Sequence, residues 1–256
     1  MSCNIRYEQG TDGDNDWAHR KEFCARVILS READVICCQE VWEGQVKDLR
    51  ERLDGYAWLG TVDEPRTRRP VNSIFYRPDR LDLISSGAYW LSQTPHVCGS
   101  RSWESACVRL ATWARLIERA SGTELRVVNT HLDHVSQAAR EGQAGVINED
   151  AAAYAQDFPQ ILAGDMNAEA DNPAIQRFLD AGWRDTWQRV HGPGGPGPTF
   201  HGFDGPAGTG DNAVRLDWIF ARGRLDAVAA EVVRDQADGR YPSDHYFMVA
   251  DVEFCG

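Results

Sequence analysis

Six short strings set carboxylates, amides and imidazoles where apolar runs stop. Asn4 follows the first strand-like residues and precedes Arg6 and Tyr7. Glu40 closes the apolar run Val35–Cys38 in the string Cys-Gln-Glu-Val, where a carboxylate either caps a surface turn or binds a hard cation. Mg2+ suits the second role, because it takes a few carboxylate and amide oxygens and keeps several waters. In Asn129-Thr130-His131-Leu132-Asp133-His134 a period of two puts Asn129, His131 and Asp133 on one face. Three polar groups on one face of an apolar strand are costly to bury without partners; a solvent-facing edge is the alternative. Gly164-Asp165-Met166-Asn167 ends another buried run. Asp165 and Asn167 there point the same way, to hold a metal, a water or a phosphate oxygen, or to make a plain Asx turn. Asp217 lies between Leu216 and Trp218 and needs a partner if buried. Ser243-Asp244-His245 precedes the last apolar run, and a neighbouring Asp can tune an imidazole as base or charge stabiliser. Each string alone is weak.

Residues of this kind need a rigid frame, and strand ends supply one. The patterning predicts strands over 1–7, 35–38, 73–76, 87–91, 111–118, 125–131, 160–164, 216–221 and 247–254. It predicts helices over 17–30 (with Asp16 as N-cap), 44–53, 137–156 and 173–181. Trp17, Phe23, Val27 and Ile28 form the apolar positions of the first helix, with Arg20, Lys21 and Glu22 between them. Residues 191–212 are dense in Gly and Pro and read as loop, punctuated by Phe200, His201 and Phe203, which either line a pocket or pin the loop to the body. Helices and strands alternate with no linker-like break, so the expectation is one α/β domain over residues 1–256.

Composition narrows the function. The net charge is −12, and 42 % of the 256 residues are hydrophobic, too many for wholesale disorder. No apolar run reaches the roughly 18 residues of a membrane span. The acidic balance disfavours strong nonspecific nucleic-acid binding, which needs clustered Lys and Arg. The 7 cysteines form no CxxC pair, which points to reduced thiols and a cytoplasmic setting. Because Met1–Tyr7 already reads as strand, an upstream leader remains compatible with this expectation. On oligomeric state the sequence is silent.

Taken in order, Ser2-Cys3-Asn4-Ile5-Arg6-Tyr7, Gln39-Glu40-Val41, Asn129-Thr130-His131, Gly164-Asp165-Met166-Asn167, Leu216-Asp217-Trp218-Ile219-Phe220 and Ser243-Asp244-His245 resemble the endonuclease/exonuclease/phosphatase superfamily with its deoxyribonuclease-I-like fold. Further strings, among them Ser73-Ile74-Phe75-Tyr76-Arg77, Arg109-Leu110-Ala111-Thr112-Trp113 and Thr199-Phe200-His201-Gly202-Phe203, look like a bacterial subgroup of largely unassigned substrate. The resemblance implies a four-layer αββα sandwich: two packed mixed β-sheets flanked by helices. It implies Mg2+-dependent attack of water on a phosphoester, with Mn2+ as an alternative ion.

Residue by residue, it puts Asn4, Glu40 and Asp244 at the metal. Asp165 orients or deprotonates the water, with Asn167 beside it. His245, held by Asp217, binds a nonbridging oxygen or acts as base, and His131 faces the leaving group. Arg109, Trp103, Asp133, His134, Phe200 and His201 are the expected substrate contacts, and Trp90 and Trp113 either wall the pocket or belong to the core. One departure stands out: Pro70 occupies the place where relatives carry an acid, with Asp133 as a substitute for it and with Arg66, Arg68 and Arg69 close by as an anion-recognition loop or a solvated one. Three readings follow: a phosphoesterase on a small or medium phosphorylated substrate; a Mg2+-dependent nuclease on DNA or RNA, which the net charge does not favour; and a non-hydrolytic or chemically altered member.

Overall fold

The protein is described by a computed structural model covering residues 1–208 and 214–255. Positions 209–212 of the predicted loop lie outside the described residues. The strands form two six-stranded sheets with the same internal logic. The first holds β1 (Ser2–Asn4), β2 (Val35–Gln39), β3 (Ala57–Leu59), β4 (Asn72–Tyr76), β11 (Leu225–Val233) and β12 (Phe247–Phe254), in the order β11-β12-β1-β2-β4-β3. The second holds β5 (Leu81–Trp90), β6 (Leu110–Glu118), β7 (Glu124–His131), β8 (Gln160–Asp165), β9 (Arg184–Asp185) and β10 (Asp217–Arg222), in the order β5-β6-β7-β8-β10-β9. Each sheet has one parallel pair at its centre, β1 with β2 and β7 with β8, and antiparallel neighbours elsewhere. A parallel pair needs a crossover. Here α1 (Trp17–Leu29) and α3 (Gln137–Ala152) provide them, with α2 (Glu43–Arg52), α4 (Pro173–Asp180) and α5 (Thr186–His191) completing the helices.

Alternation along the strands builds the layers. On β2, Ile36 and Cys38 face α1 and α2, with Leu49 and Phe75 in the same cluster. Cys37 faces the other way, into the seam between the sheets with Ile74, Leu116, Val127, Ala163 and Met248. Outside the second sheet, Val128, Leu162 and Phe220 meet α3 and α4 through Ala144, Ile147 and Phe178. Helix, sheet, sheet, helix is the four-layer arrangement expected.

Local differences have physical reasons. β5 begins six residues earlier than predicted: its first half is the largely exposed part of an edge strand, and a bulge between Leu83 and Ser85 breaks the alternation there. β11 is rich in Ala, which disguises a strand. β3, β9 and α5 are too short to give a period. Asp16 precedes α1 but does not cap it; its Oδ1 accepts from the Asp12 N–H at 2.9 Å. All seven cysteines are free, and no described helix is long and apolar enough to cross a membrane.

Candidate active site

The carboxyl ends of the two parallel pairs meet across the seam. Asn4 ends β1, Glu40 follows β2, His131 ends β7 and Asp165 ends β8. The antiparallel neighbours add their first residues, Asp217 at the start of β10 and Asp244-His245 just before β12. A cavity of about 650 Å³ opens there, lined among others by Glu40, Arg109, His131, His134, Asp165, Asn167, Phe200, Asp244 and His245.

Hydrogen bonds fix the acids. Asn4 Nδ2 donates to Glu40 Oε1 at 3.1 Å and to Asp165 Oδ2 at 2.9 Å, while its Oδ1 accepts from the Arg6 N–H. The Tyr7 N–H donates to Glu40 Oε2 at 3.2 Å. Glu40 holds φ at +60°, an uncommon value for a residue with a side chain, and that turn aims its carboxylate into the cleft. The Asn167 N–H closes an Asx turn on Asp165 Oδ1 at 2.9 Å, with Asn167 itself at φ +47°. The plain turn and the shared direction of the two side chains are therefore the same feature. Gly164 is required before it: at φ +155° a Cβ would stand 2.0 Å from the Thr130 carbonyl oxygen.

Asp217 Oδ2 accepts from His245 Nδ1 at 2.8 Å. Burial pushes the His245 imidazole down, but the Asp217 charge and hydrogen bond, with Asp165 and Asp244 behind them, lift it to about 10. The ring is a cation at neutral pH. Burial pushes the Asp165 carboxyl up; His245 opposes this and Asp217 adds to it, leaving it raised to about 7. His131 is the converse case. Burial, then Arg109, His245 and His134, hold it well below its ordinary value, so it is neutral. Its Nε2 accepts from Asn167 Nδ2 at 2.8 Å and lies 3.4 Å from Asp165 Oδ2.

Two groupings offer cation ligands. Asp165, Asp217 and His245 bring one donor atom each within 4.8 Å of one another. Two of those three already share the 2.8 Å hydrogen bond, which makes them a His–Asp dyad. Glu40 and Asp244 offer carboxylate oxygens beside the buried Asp165, whereas Asn4, expected as a third ligand, turns its Nδ2 to Glu40 and Asp165 and its Oδ1 to the Arg6 N–H, so it positions the acids. Hard oxygen donors with surplus negative charge fit Mg2+. Arg6 is the nearest competing cation, with Nε 3.8 Å from Asp244 Oδ2.

Several expected contacts lie elsewhere. Asp133 is fully buried; its carboxylate accepts from Ser105 Oγ and from the N–H groups of Ala106, Cys107, Val135 and Ser136. It organises the loop before α3 and does not line the cleft, so it does not replace the acid absent at Pro70. Trp103 packs on Gly142 of α3, away from the cleft. His201 is buried against Tyr246 and Tyr241, accepts from the Gly205 N–H, and is not on the cleft wall. Phe200 is, with its ring edge-on to His245 at 5.1 Å. Trp90 and Trp113 do not line the cleft; the tryptophan that does is Trp42, stacked on Tyr7 at 5.5 Å. Of the three clustered arginines only Arg69 reaches the cleft, tied to Asp63 at 2.9 Å. Arg6, Tyr7 and Trp42 are cleft residues the sequence did not single out, although Arg6 and Tyr7 lie close to Asn4.

Comparison with known proteins agrees with this geometry. A model described as the Endonuclease/Exonuclease/phosphatase family matches residues 1–245. An endonuclease/exonuclease/phosphatase from Bacteroides vulgatus superposes with a TM-score of 0.90 at 30 % identity, over 99 % of this chain and 97 % of that one. A mannosyl-6-phosphatase from Bacteroides thetaiotaomicron superposes with a TM-score of 0.89 at 27 % identity, over 99 % and 98 %. Nocturnin of Drosophila melanogaster is 32 % identical over 177 residues, which are 64 % of this chain and 26 % of that protein, so the match spans about a quarter of this relative's length.

Proposed function

The chain belongs to the Endonuclease/Exonuclease/phosphatase family, and we propose that it is a divalent-metal-dependent phosphoesterase acting on a phosphate ester of small or medium size. The observation that carries this reading is one cavity of about 650 Å³ in which Glu40, Asp165 and Asp244 face the charged His245 ring. That volume suits a compact ligand. A likeness to a phosphatase of 27 % identity supports the same reading.

In it, Glu40 and Asp244 would hold Mg2+ or Mn2+, with Asn4 Nδ2 positioning the Glu40 and Asp165 carboxylates. The bound ion supplies neutralisation of charge on the phosphate oxygens. Asp165 positions the attacking water and takes its proton; a carboxylate raised towards neutrality is well matched to that task. Asn4 and the Asn167 N–H fix the direction of its lone pairs. His245, kept cationic by Asp217, meets a nonbridging oxygen and stabilises the charge that grows there. Asn167 holds the neutral His131 ring beside Asp165, which keeps the leaving-group side in one geometry.

The test compares a chromogenic phosphomonoester with the matching diester, in Mg2+, Mn2+ and EDTA, for the wild type and Glu40→Ala. The expected result is metal-dependent monoester turnover that Glu40→Ala abolishes. Preference for the diester would turn the reading towards a nuclease. Metal-independent turnover, or none on a broad phosphoester panel, would overturn it.

A further inference from the structure

Three arginines line the cleft, and two are already neutralised by the chain. Arg6 is held by Asp12 through two contacts of 3.0 Å, and Arg69 by Asp63 at 2.9 and 3.0 Å. Arg109 has no carboxylate partner among the described residues. Among the described residues its side chain makes one hydrogen bond, with His134 Nδ1 at 3.3 Å, and its Nε is buried without a partner.

The strand order says where this unpaired charge stands. Along the second sheet the functional residues run Arg109 (before β6), His131 (β7), Asp165 (β8) and Asp217 (β10). At the usual interstrand spacing of about 4.8 Å, Arg109 belongs to a strand roughly 10 Å from that of Asp165 and 14 Å from that of Asp217. The first sheet runs in step, with Asp244 and Asn4 at one end and Asn72 at the other. Asn72 Nδ2 donates to the Leu110 carbonyl at 2.6 Å, which joins the β4 side to the Arg109 side. The cleft thus has two ends. One holds the acids and the dyad; the other holds Arg109, His134 and Arg69, with Val71, Val108 and Leu110 on the wall.

We propose that the Arg109 end is a second anion subsite, and that the substrate is a phosphate ester carrying a further phosphate or carboxylate group. This rests on the phosphoesterase reading for the first anion. The scissile phosphate meets its positive partners at the dyad end, so it does not account for Arg109. A guanidinium fork binds either anion through two parallel hydrogen bonds. His134, exposed beside it, adds a further donor through Nε2–H when its Nδ1 accepts from Arg109.

Binding tests this without requiring turnover. Propane bisphosphonate and propylphosphonate are titrated calorimetrically in Mg2+ into the wild type, Arg109→Gln and Arg109→Lys, with melting temperatures confirming that each variant folds. The wild type is expected to bind the bisphosphonate about tenfold or more tightly than the monophosphonate. Arg109→Gln should lose that ratio and Arg109→Lys keep part of it. Equal binding of the two probes by the wild type, or a ratio that survives Arg109→Gln, would overturn the proposal. Hydrolysis of a hexose bisphosphate against the matching monophosphate, and of phosphoglycerate against glycerol phosphate, tells which second anion is preferred. A bisphosphonate ratio lost in Arg109→Gln, with no ester hydrolysed, would sink the phosphoesterase reading and leave the subsite standing.

Discussion

Arg20 is the side chain whose removal should do most damage for its size. It is 4 % exposed on the inner face of α1 and pairs with no carboxylate among the described residues. Its guanidinium donates to four backbone carbonyls: Asn15 at 2.8 Å, Ile5 at 2.6 Å, Arg6 at 2.7 Å and Pro242 at 3.0 Å. Ile5 and Arg6 follow Asn4, and Pro242 precedes Ser243-Asp244-His245, so one side chain ties together two segments that carry site residues. Hydrogen bonds from a charged donor contribute about 1.5–3 kcal/mol each, roughly 6–12 kcal/mol in total. Burying the guanidinium takes back several kcal/mol, and that burial also lowers its pKa. The net loss for Arg20→Met should be about 3–5 kcal/mol, because Met fills most of the stem volume but leaves four carbonyls to water. For a chain of this size that is a fall in melting temperature of about 6–20 °C. Urea unfolding followed by the fluorescence of the 9 tryptophans measures it. A shift below about 1 kcal/mol at unchanged m-value would refute the reasoning. Arg20→Lys keeps the charge but not the fork and should fall between the two.

Three further outcomes follow from the site. Asp217→Asn should cut kcat/KM about a hundredfold or more at neutral pH; wild-type activity should be lost as pH rises through about 10, where His245 gives up its proton, and in the variant this alkaline limb should lie at lower pH in a pH–rate profile. Millimolar Mg2+ should raise the melting temperature of the wild type in scanning calorimetry, by about 2.7 kcal/mol of stabilisation at a hundred times its Kd; EDTA should reverse this, and Glu40→Ala should not respond. Gly164→Ala should cost at least about 2 kcal/mol by chemical denaturation and depress activity with it, because its Cβ meets the Thr130 carbonyl backbone and Asp165 comes next in the chain.

Much of this architecture was legible in the sequence, for one reason: strands buried on both faces leave short apolar runs, and active residues collect where those runs stop. Such runs found β2 and β8 with their neighbouring acids. The reading failed at the exposed half of an edge strand, where a bulge between Leu83 and Ser85 breaks the alternation of β5, and where Ala takes the place of branched residues, as in β11. Asp133 shows the limit for single side chains. Its type and spacing match those of a site residue, yet five donors from neighbouring loops use its carboxylate up, and no local pattern announces a loop's hydrogen bonds. Arg20 shows the opposite error. Among polar neighbours it reads as solvated, but it stands three residues after Trp17 and four before Cys24, on the buried stripe, so the helical period itself carried the signal.

Asn129 explains why polar residues run so deep into this seam. It is fully buried below the cleft, one alternation before His131. Its Nδ2 donates to the carbonyls of Cys38 and Ser73, both at 2.9 Å, and its Oδ1 accepts from Gln39 Nε2 at 2.7 Å. All three partners belong to the opposite sheet. Two apolar sheets pressed together have no preferred registration finer than the packing of their side chains, whereas an amide that must find these three partners has one. A site assembled half from each sheet needs such a device, since a small slide of one sheet would break the hydrogen bond from Asn4 to Asp165 that joins the two halves. The face that carries Asn129 and His131 is therefore polar for two connected reasons: the outer residue meets the cleft, and the inner one locks the register that the cleft requires.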